Sequence, residues 1–166
     1  INMDLIAGLP EDNFLKFSNT LEKVISLAPD NITVHTFCVK KAAEILREGT
    51  DVYSRTGGET GKSVEYSHVS VTNAGYRPYY LYRQKSMAGN LENVGYAKSG
   101  KAGVYNILIM EEKQSIVAAG AGASTKMVYP GGRIERIENV KDVGQYIERI
   151  DEMIQRKKDF WEVNGR

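Results

Sequence analysis

The sequence predicts an α/β fold at the start of the chain, followed by a mixed region of strands and helices. An apolar run over residues 1–7 has the length of a strand and ends at the corner Gly8-Leu9-Pro10. Residues 11–27 then carry apolar side chains at helical spacing, and residues 31–38 are rich in β-branched side chains. Strand, helix and strand with short connections form a βαβ unit, which should be parallel and right-handed.

The first strand is expected to be an interior strand. An apolar run of strand length that is closed by Gly and Pro is typical of a parallel strand covered on both faces, in which alternation is lost. Asp4 is the exception, and a carboxylate there is costly unless it lies at the carboxyl end of the sheet, where parallel sheets bind ligands. The strand begins at residue 1 without an initiator methionine. We therefore expect this chain to be part of a longer protein whose preceding half supplies the neighbouring strands.

The composition points to a small-molecule or protein partner. The 166 residues are 42% hydrophobic, enough for one domain or slightly more. A net charge of +1 gives no electrostatic reason to expect nucleic acid or an anionic membrane. No apolar run reaches the ~18 residues of a membrane span, and no signal peptide is visible. A single cysteine fits a reducing, cytoplasmic environment.

The rest of the chain is predicted to continue with a helix, a polar loop and a further helix. Strands, turns and short helices follow, and the chain ends in a long amphipathic helix. The predicted helices cover residues 40–47, 64–74 and 142–161, and the predicted loops cover 50–63 and 89–96. The predicted strands are 79–85 and 115–119, with 126–129 and 133–138 around a Pro130-Gly131-Gly132 turn; residues 105–112 form a short buried helix or strand.

Gly61-Lys62-Ser63 resembles the end of a phosphate-binding P-loop. The first glycine of that motif would fall on Thr56, and β-branched residues follow instead of a clear helix start. A solvated loop is therefore predicted rather than a nucleotide triphosphate site.

Two residues at strand ends are candidates for cofactor binding. Asp4 can accept hydrogen bonds from ribose hydroxyls, or it can cap the following helix or pair with a basic residue; the residues alone leave these alternatives open. Cys38 ends the next strand and lies at the same rim, although a buried thiol is usually a packing residue. A zinc site from Cys38, His35 and His68 lacks the usual ligand spacing.

Two further pairs of residues are candidates for ligand contacts. Gly120 and Gly122 permit close approach of the backbone to a cofactor, or form a tight turn. Arg83 and Lys85 alternate with tyrosines and can bind the carboxylates of a flat, acidic substrate. A half-exposed sheet produces the same alternation.

Several separate motifs, in order, resemble one family. Residues 2–10 and 27–34 look like the second half of the oxygen-independent coproporphyrinogen III oxidase family of radical S-adenosylmethionine (SAM) proteins. Residues 82–85, 89–96 and 120–124 resemble its coproporphyrinogen dehydrogenase branch. The resemblance spans nearly the whole chain.

The resemblance implies the end of a partial (β/α)6 barrel over residues 1–50 and a family-specific C-terminal domain over residues 51–166. It implies that Asp4 binds the ribose of SAM and that Cys38 contacts the same cofactor through its backbone. The family's [4Fe-4S] cluster needs three cysteines in a CxxxCxxC loop, and this chain has one. We therefore expect the chain alone to hold no cluster and to be inactive.

The function implied for the longer protein is oxidative decarboxylation of coproporphyrinogen III to protoporphyrinogen IX, in haem biosynthesis. A haem-binding carrier with the same barrel is the alternative, and a non-catalytic interaction domain is a third. An open edge beside Asp4 also predicts a homodimer of this chain.

Overall fold

A computed structural model describes residues 1–38, 58–83 and 91–164, without the side chains of residues 163 and 164. The chain divides into two compact units, Ile1–Ile107 and Leu108–Arg166. The domain boundary predicted after residue 50 lies outside the described residues and stays a prediction. The α/β class is confirmed, because both units combine helices with β-sheet.

The first unit contains a four-stranded sheet and two long helices. Its elements are β1 (Asn2–Ala7), α1 (Phe14–Ser26), β2 (Asn31–Thr36), α2 (Glu59–Asn73), β3 (Arg77–Tyr82) and β4 (Asn93–Ala97). The strand order is β1-β2-β4-β3; β1 and β2 are parallel, and the other pairs are antiparallel. The predicted parallel βαβ unit is therefore confirmed.

The prediction that β1 is covered on both faces is wrong. Leu5 and Ala7 are buried, whereas Asn2, Asp4 and Ile6 are exposed. β1 is also an edge strand of the described sheet. The strand thus alternates with period two, as expected for a strand with one face in the core and one face open.

The core lies on one side of this sheet. It contains buried residues of three strands, of both long helices and of the turn after α2: Leu5, Ala7, Phe17, Leu21, Ile32, Val34, Val71, Tyr76 and Tyr96. The side chain of Asn13 accepts a hydrogen bond from Lys16 N at 2.9 Å and begins α1. α1 therefore begins three residues later than predicted, because its N-cap is Asn13.

α2 begins earlier than predicted. Glu59 opens the helix, so the P-loop-like Gly61-Lys62-Ser63 lies inside it and not in a loop. Glu59 Oε2 accepts a hydrogen bond from Phe14 N at 3.2 Å. A contact with α1, distant in sequence, fixes this helix start, and local spacing could not reveal it. The helix predicted over residues 40–47 lies outside the described residues.

The corner after β1 requires its glycine. Gly8 has a φ of +86°, and a Cβ there would lie 2.6 Å from Thr60 Oγ1 in α2. The predicted Gly8-Leu9-Pro10 corner thus also brings β1 close to α2. Within the region predicted as a loop over residues 89–96, Asn93–Ala97 instead forms β4, which pairs with both β2 and β3.

The second unit contains a hairpin and two consecutive helices. The helix α3 (Val104–Met110) crosses the boundary between the units, and β5 (Ser124–Val128), β6 (Ile134–Glu138), α4 (Val143–Glu148) and α5 (Ile150–Asn164) follow. β5 and β6 pair antiparallel, which confirms the predicted hairpin. α3 has no buried residue, so the predicted burial of this segment is wrong.

One further prediction in this unit is wrong, and one holds with a break. Residues 115–119 form no strand, and Ile116 makes only an isolated bridge to Lys126. The long helix predicted over residues 142–161 breaks at Arg149, whose φ of −109° and ψ of 26° leave the helical range. No helix in the described ranges is long and apolar enough to cross a membrane.

Candidate functional site

The sheet face opposite the core carries polar and aromatic side chains. We call it the polar face and define it by Asn2, Asp4, Thr33, His35, Tyr80 and Tyr82. The strand register aligns Asp4 with Thr33, Thr33 with Gly95, and Gly95 with Tyr80. Since residues i and i+2 of a strand point to the same side, these six side chains share one face.

Asp4 presents its carboxylate on the polar face, where its side chain is 58% exposed. Asn2 Nδ2 donates a hydrogen bond to Asp4 Oδ1 at 2.8 Å, and Thr33 Oγ1 donates to Asn2 Oδ1 at 3.2 Å. Among the described residues, no donor reaches Asp4 Oδ2. The carboxylate is thus oriented through one oxygen and offers the other. Because Asn13 caps α1, the alternative role of Asp4 as a helix cap does not apply.

His35 lies between Asp4 and Tyr82. Its Nδ1 is 3.2 Å from the Tyr82 hydroxyl, and its Nε2 is 3.8 Å from Asp4 Oδ1. The second distance is too long for a direct hydrogen bond. The imidazole is 27% exposed. It is therefore held by the tyrosine while its other nitrogen points toward the carboxylate side of the polar face.

The side chains of Tyr80 and Tyr82 lie parallel to each other across β4. Their ring centroids are 6.3 Å apart and their planes differ by 4°. Tyr80 approaches Thr33 Oγ1 to 3.4 Å, and its ring passes directly over Gly95. Burial raises the pKa of the Tyr80 phenol, although its contact with Thr33 acts in the opposite direction. At neutral pH this phenol is therefore an uncharged hydrogen-bonding group.

Sequence reasoning did not assign Asn2, Thr33 or His35 to the cofactor site. A signal was present, because polar residues alternate with apolar ones in both parallel strands. The interpretation of β1 as a two-sided strand hid this alternation. His35 and His68 also belong to different surroundings, since His68 Nδ1 lies 3.2 Å from the hydroxyl of the core residue Tyr96.

Comparison with known proteins gives two matches. The chain is 40% identical over 163 residues to the oxygen-independent coproporphyrinogen-III oxidase-like protein HemZ of Bacillus subtilis (strain 168). The match covers 98% of this chain and 32% of HemZ. The resemblance predicted from the motifs is confirmed. The chain thus spans about one third of the length of the curated relative it matches.

A solved structure supports the fold of this chain. The radical SAM enzyme coproporphyrinogen III oxidase (HemN) from Escherichia coli matches with a TM-score of 0.58 at 17% identity. The alignment covers 91% of this chain and 34% of that protein. At this identity the match shows a shared fold. No protein-family model matches the chain.

Cys38 and Arg83 lie at the ends of two strands of the sheet. Cys38 follows β2 and is half-buried. Arg83 follows β3, and its Nη2 lies 2.8 Å from Glu92 Oε1. Because this ion pair is on the surface, a substrate carboxylate could replace Glu92 at a cost of about 1 kcal/mol or less. Lys85, predicted to act with Arg83, lies outside the described residues.

Gly120 and Gly122 lie in the second unit. Their φ angles are +107° and +70°. Gly120 N donates to the Tyr146 hydroxyl at 3.0 Å, and Gly122 N donates to Val140 O at 2.7 Å. Ala123 N also donates to Gly120 O at 3.2 Å, a bond between residues three apart that closes a tight turn. A role in cofactor binding stays a prediction for both glycines.

The residues of the polar face suit the ribose of SAM, one of the two implied cofactors. The sequence does not supply the ligands of the other, the [4Fe-4S] cluster. A fixed carboxylate with an open oxygen, beside hydroxyl and imidazole groups, matches the vicinal diol of a ribose, which both donates and accepts hydrogen bonds. A [4Fe-4S] cluster needs thiolate ligands, and the chain contains a single cysteine, Cys38. The polar face therefore fits a ribose-type diol, whereas one cysteine is too few to ligate the cluster.

Proposed function

We propose that this chain is the C-terminal part of an oxygen-independent coproporphyrinogen III oxidase. That enzyme would decarboxylate two propionates of coproporphyrinogen III and yield protoporphyrinogen IX. When bound to a reduced cluster, SAM supplies the radical that abstracts hydrogen from a propionate. The observation that carries the proposal is the exposed, oriented carboxylate of Asp4 on the polar face, in a chain 40% identical to HemZ.

The chain's own residues would bind and orient. Asp4 accepts hydrogen bonds from ribose hydroxyls, and Cys38 contacts the same cofactor through its backbone. Tyr80 and Tyr82 offer aromatic surface beside the carboxylate. Arg83, with Lys85, pairs with propionates of the tetrapyrrole. The cluster ligands would come from outside these 166 residues, so the chain alone should produce no protoporphyrinogen.

The cofactor site is tested by equilibrium binding of S-adenosylhomocysteine, a stable SAM analogue, to the protein. Asp4→Asn should weaken binding by about 10-fold or more, because a hydrogen bond to a charged group is lost. Asp151→Asn is the matched control: it makes the same change on the exposed surface of α5. It should leave the affinity unchanged. Equal affinities of wild type and Asp4→Asn would refute the site.

The second candidate, a haem carrier, keeps the same barrel and binds tetrapyrrole without turnover. The polar face is compatible with it, since His35 offers an imidazole beside two aromatic rings. An anaerobic product assay with added SAM and reductant, run beside a haem titration, separates the two functions. Protoporphyrinogen formation supports the oxidase; haem binding without product supports the carrier. In either assay Lys85→Ala should weaken tetrapyrrole binding and leave S-adenosylhomocysteine binding unchanged.

We also propose that this chain forms a homodimer through the open edge of β1. No strand of the described residues pairs with that edge. Unpaired backbone groups along an edge strand are a template for pairing with a second copy.

A further inference from the structure

The distance between His35 and Asp4 suggests that His35 is a second ligand-binding residue on the polar face. We propose that His35 binds the ribose together with Asp4, so that one ribose hydroxyl lies between them. This inference rests on the proposed function, because it takes the cofactor's ribose as the ligand. It adds a residue that no motif of the sequence indicated.

The geometry suits a hydroxyl that bridges the two groups. His35 Nε2 and Asp4 Oδ1 are 3.8 Å apart, beyond hydrogen-bond length. A hydroxyl oxygen can lie about 2.8 Å from each of two atoms at that separation. A hydroxyl also donates one hydrogen bond and accepts others. It can therefore donate to Asp4 Oδ1, which can accept this bond in addition to the one from Asn2, and accept from the imidazole at the same time.

Tyr82 sets which nitrogen of His35 carries the proton. The Tyr82 hydroxyl lies 3.2 Å from Nδ1 and can donate to it. A proton on Nε2 then faces the negative charge of Asp4, which favours this tautomer over a lone pair facing the carboxylate. Tyr82 is thus a positioning residue, and His35 presents an N–H donor toward the ligand.

The arrangement would make the site selective for a ribose over a deoxyribose. A site built to bond a hydroxyl rejects an analogue that lacks it, because its polar groups then lose their partner. With His35 present, loss of the bridging hydroxyl removes two hydrogen bonds. With Asp4 alone it removes one. The selectivity for that hydroxyl, and not only the overall affinity, should therefore depend on His35.

The test compares the affinities of S-adenosylhomocysteine and of its 2′-deoxy and 3′-deoxy forms. Wild-type protein should prefer the parent over one deoxy form by about 10-fold or more. His35→Asn places its amide where Nδ1 lies, so it should lower that preference by about 3- to 10-fold. His35→Gln places its amide nitrogen near Nε2 and should retain most of the preference.

Tyr82→Phe provides an independent variant. It keeps the ring and the imidazole and removes the hydroxyl that selects the tautomer. The preference should fall by about 3-fold while the midpoint of urea unfolding stays within the range expected for one lost hydrogen bond. If His35→Asn does not fold, this variant together with His35→Gln still decides the question.

The outcomes separate the inference from the function it rests on. If wild-type protein does not bind S-adenosylhomocysteine, the proposed cofactor site and this inference both fail. If it binds, and Asp4→Asn weakens binding, the cofactor site stands. An equal loss of affinity for all three ligands in the His35 and Tyr82 variants would then assign these residues a structural role and overturn the inference alone.

Discussion

At the scale of single residues, the polar face depends on a glycine, Gly95, which leaves room for the Tyr80 ring. A Cβ at Gly95 would lie 1.9 Å from Tyr80 Cε1 and would clash with the tyrosine ring. Gly95 lies between Thr33 on one neighbouring strand and Tyr80 on the other. Only a strand without a side chain at this position lets the ring lie across it and reach Thr33. The position of the Tyr80 ring therefore depends on Gly95.

Gly95→Ala should displace the Tyr80 ring and destabilise the protein by about 1–3 kcal/mol, the usual cost of overpacking. Urea unfolding measures this change. The same substitution in a Tyr80→Ala background should cost less than about 0.5 kcal/mol, since the clashing ring is absent. Similar costs in both backgrounds would contradict the proposed packing.

Gly61→Ala is the matched control for this experiment. Gly61 lies in α2, and a Cβ there meets no atom within 4 Å. Alanine is favoured over glycine within helices, so this variant should be as stable as wild type or more stable by up to about 1 kcal/mol.

At the scale of elements, α2 closes the core against the sheet. Tyr96 of β4 is 1% exposed, and its hydroxyl lies 3.2 Å from His68 Nδ1 on α2. Burial raises the pKa of Tyr96 to about 12. The unfolded chain loses this proton near pH 10, whereas the folded chain keeps it to about pH 12. Above pH 10, ionisation of this phenol stabilises the unfolded state relative to the folded state, so the free energy of unfolding falls as pH rises.

Tyr96→Phe tests the contribution of this phenol. Between pH 8 and pH 11, wild-type protein should lose about 1 kcal/mol more stability than the variant, because the variant has no phenol to ionise. Urea unfolding at both pH values measures the difference. Tyr105→Phe removes the hydroxyl of an exposed tyrosine on α3 and should keep the wild-type pH dependence. An identical pH dependence in wild type and Tyr96→Phe would contradict this role of burial.

At the scale of the whole molecule, the open edge of β1 is the surface through which we propose that the chain dimerises. Ile1 O accepts from Asn31 N at 3.0 Å, and Ala7 O accepts from Phe37 N at 2.9 Å. The backbone groups of odd-numbered residues therefore face β2. Since successive residues of a strand alternate, the N–H groups of Asn2, Asp4 and Ile6 face the open edge.

Ile6→Pro should abolish a dimer that forms through this edge, because it removes an outward N–H and leaves the bonds to β2 intact. Sedimentation equilibrium over a range of concentrations measures the oligomeric state. Ile6→Ala removes the same exposed side chain and keeps the N–H, so it should remain dimeric. A monomeric wild-type protein at high concentration would refute the dimer.

The sequence by itself determined those helices, strands and turns that are specified by residues a few positions apart. The spacing of apolar residues predicted α1, the β-branched stretch predicted β2, and the Pro130-Gly131-Gly132 turn predicted the hairpin of β5 and β6. The same residues indicated Asp4 as a candidate ligand, because a carboxylate in an apolar strand needs a reason. Each of these inferences depends on neighbours within a few positions.

Tertiary structure alone decided what surrounds Asp4. His35 is 31 residues away along the chain and Tyr82 is 78, and they meet only because β1, β2, β4 and β3 lie side by side. Which face of β1 is open depends likewise on where α1 and α2 pack. Strand order and helix packing come from contacts between distant residues, which spacing along one chain does not encode. The sequence therefore showed which polar and aromatic residues are present. It did not show that they assemble into one polar face.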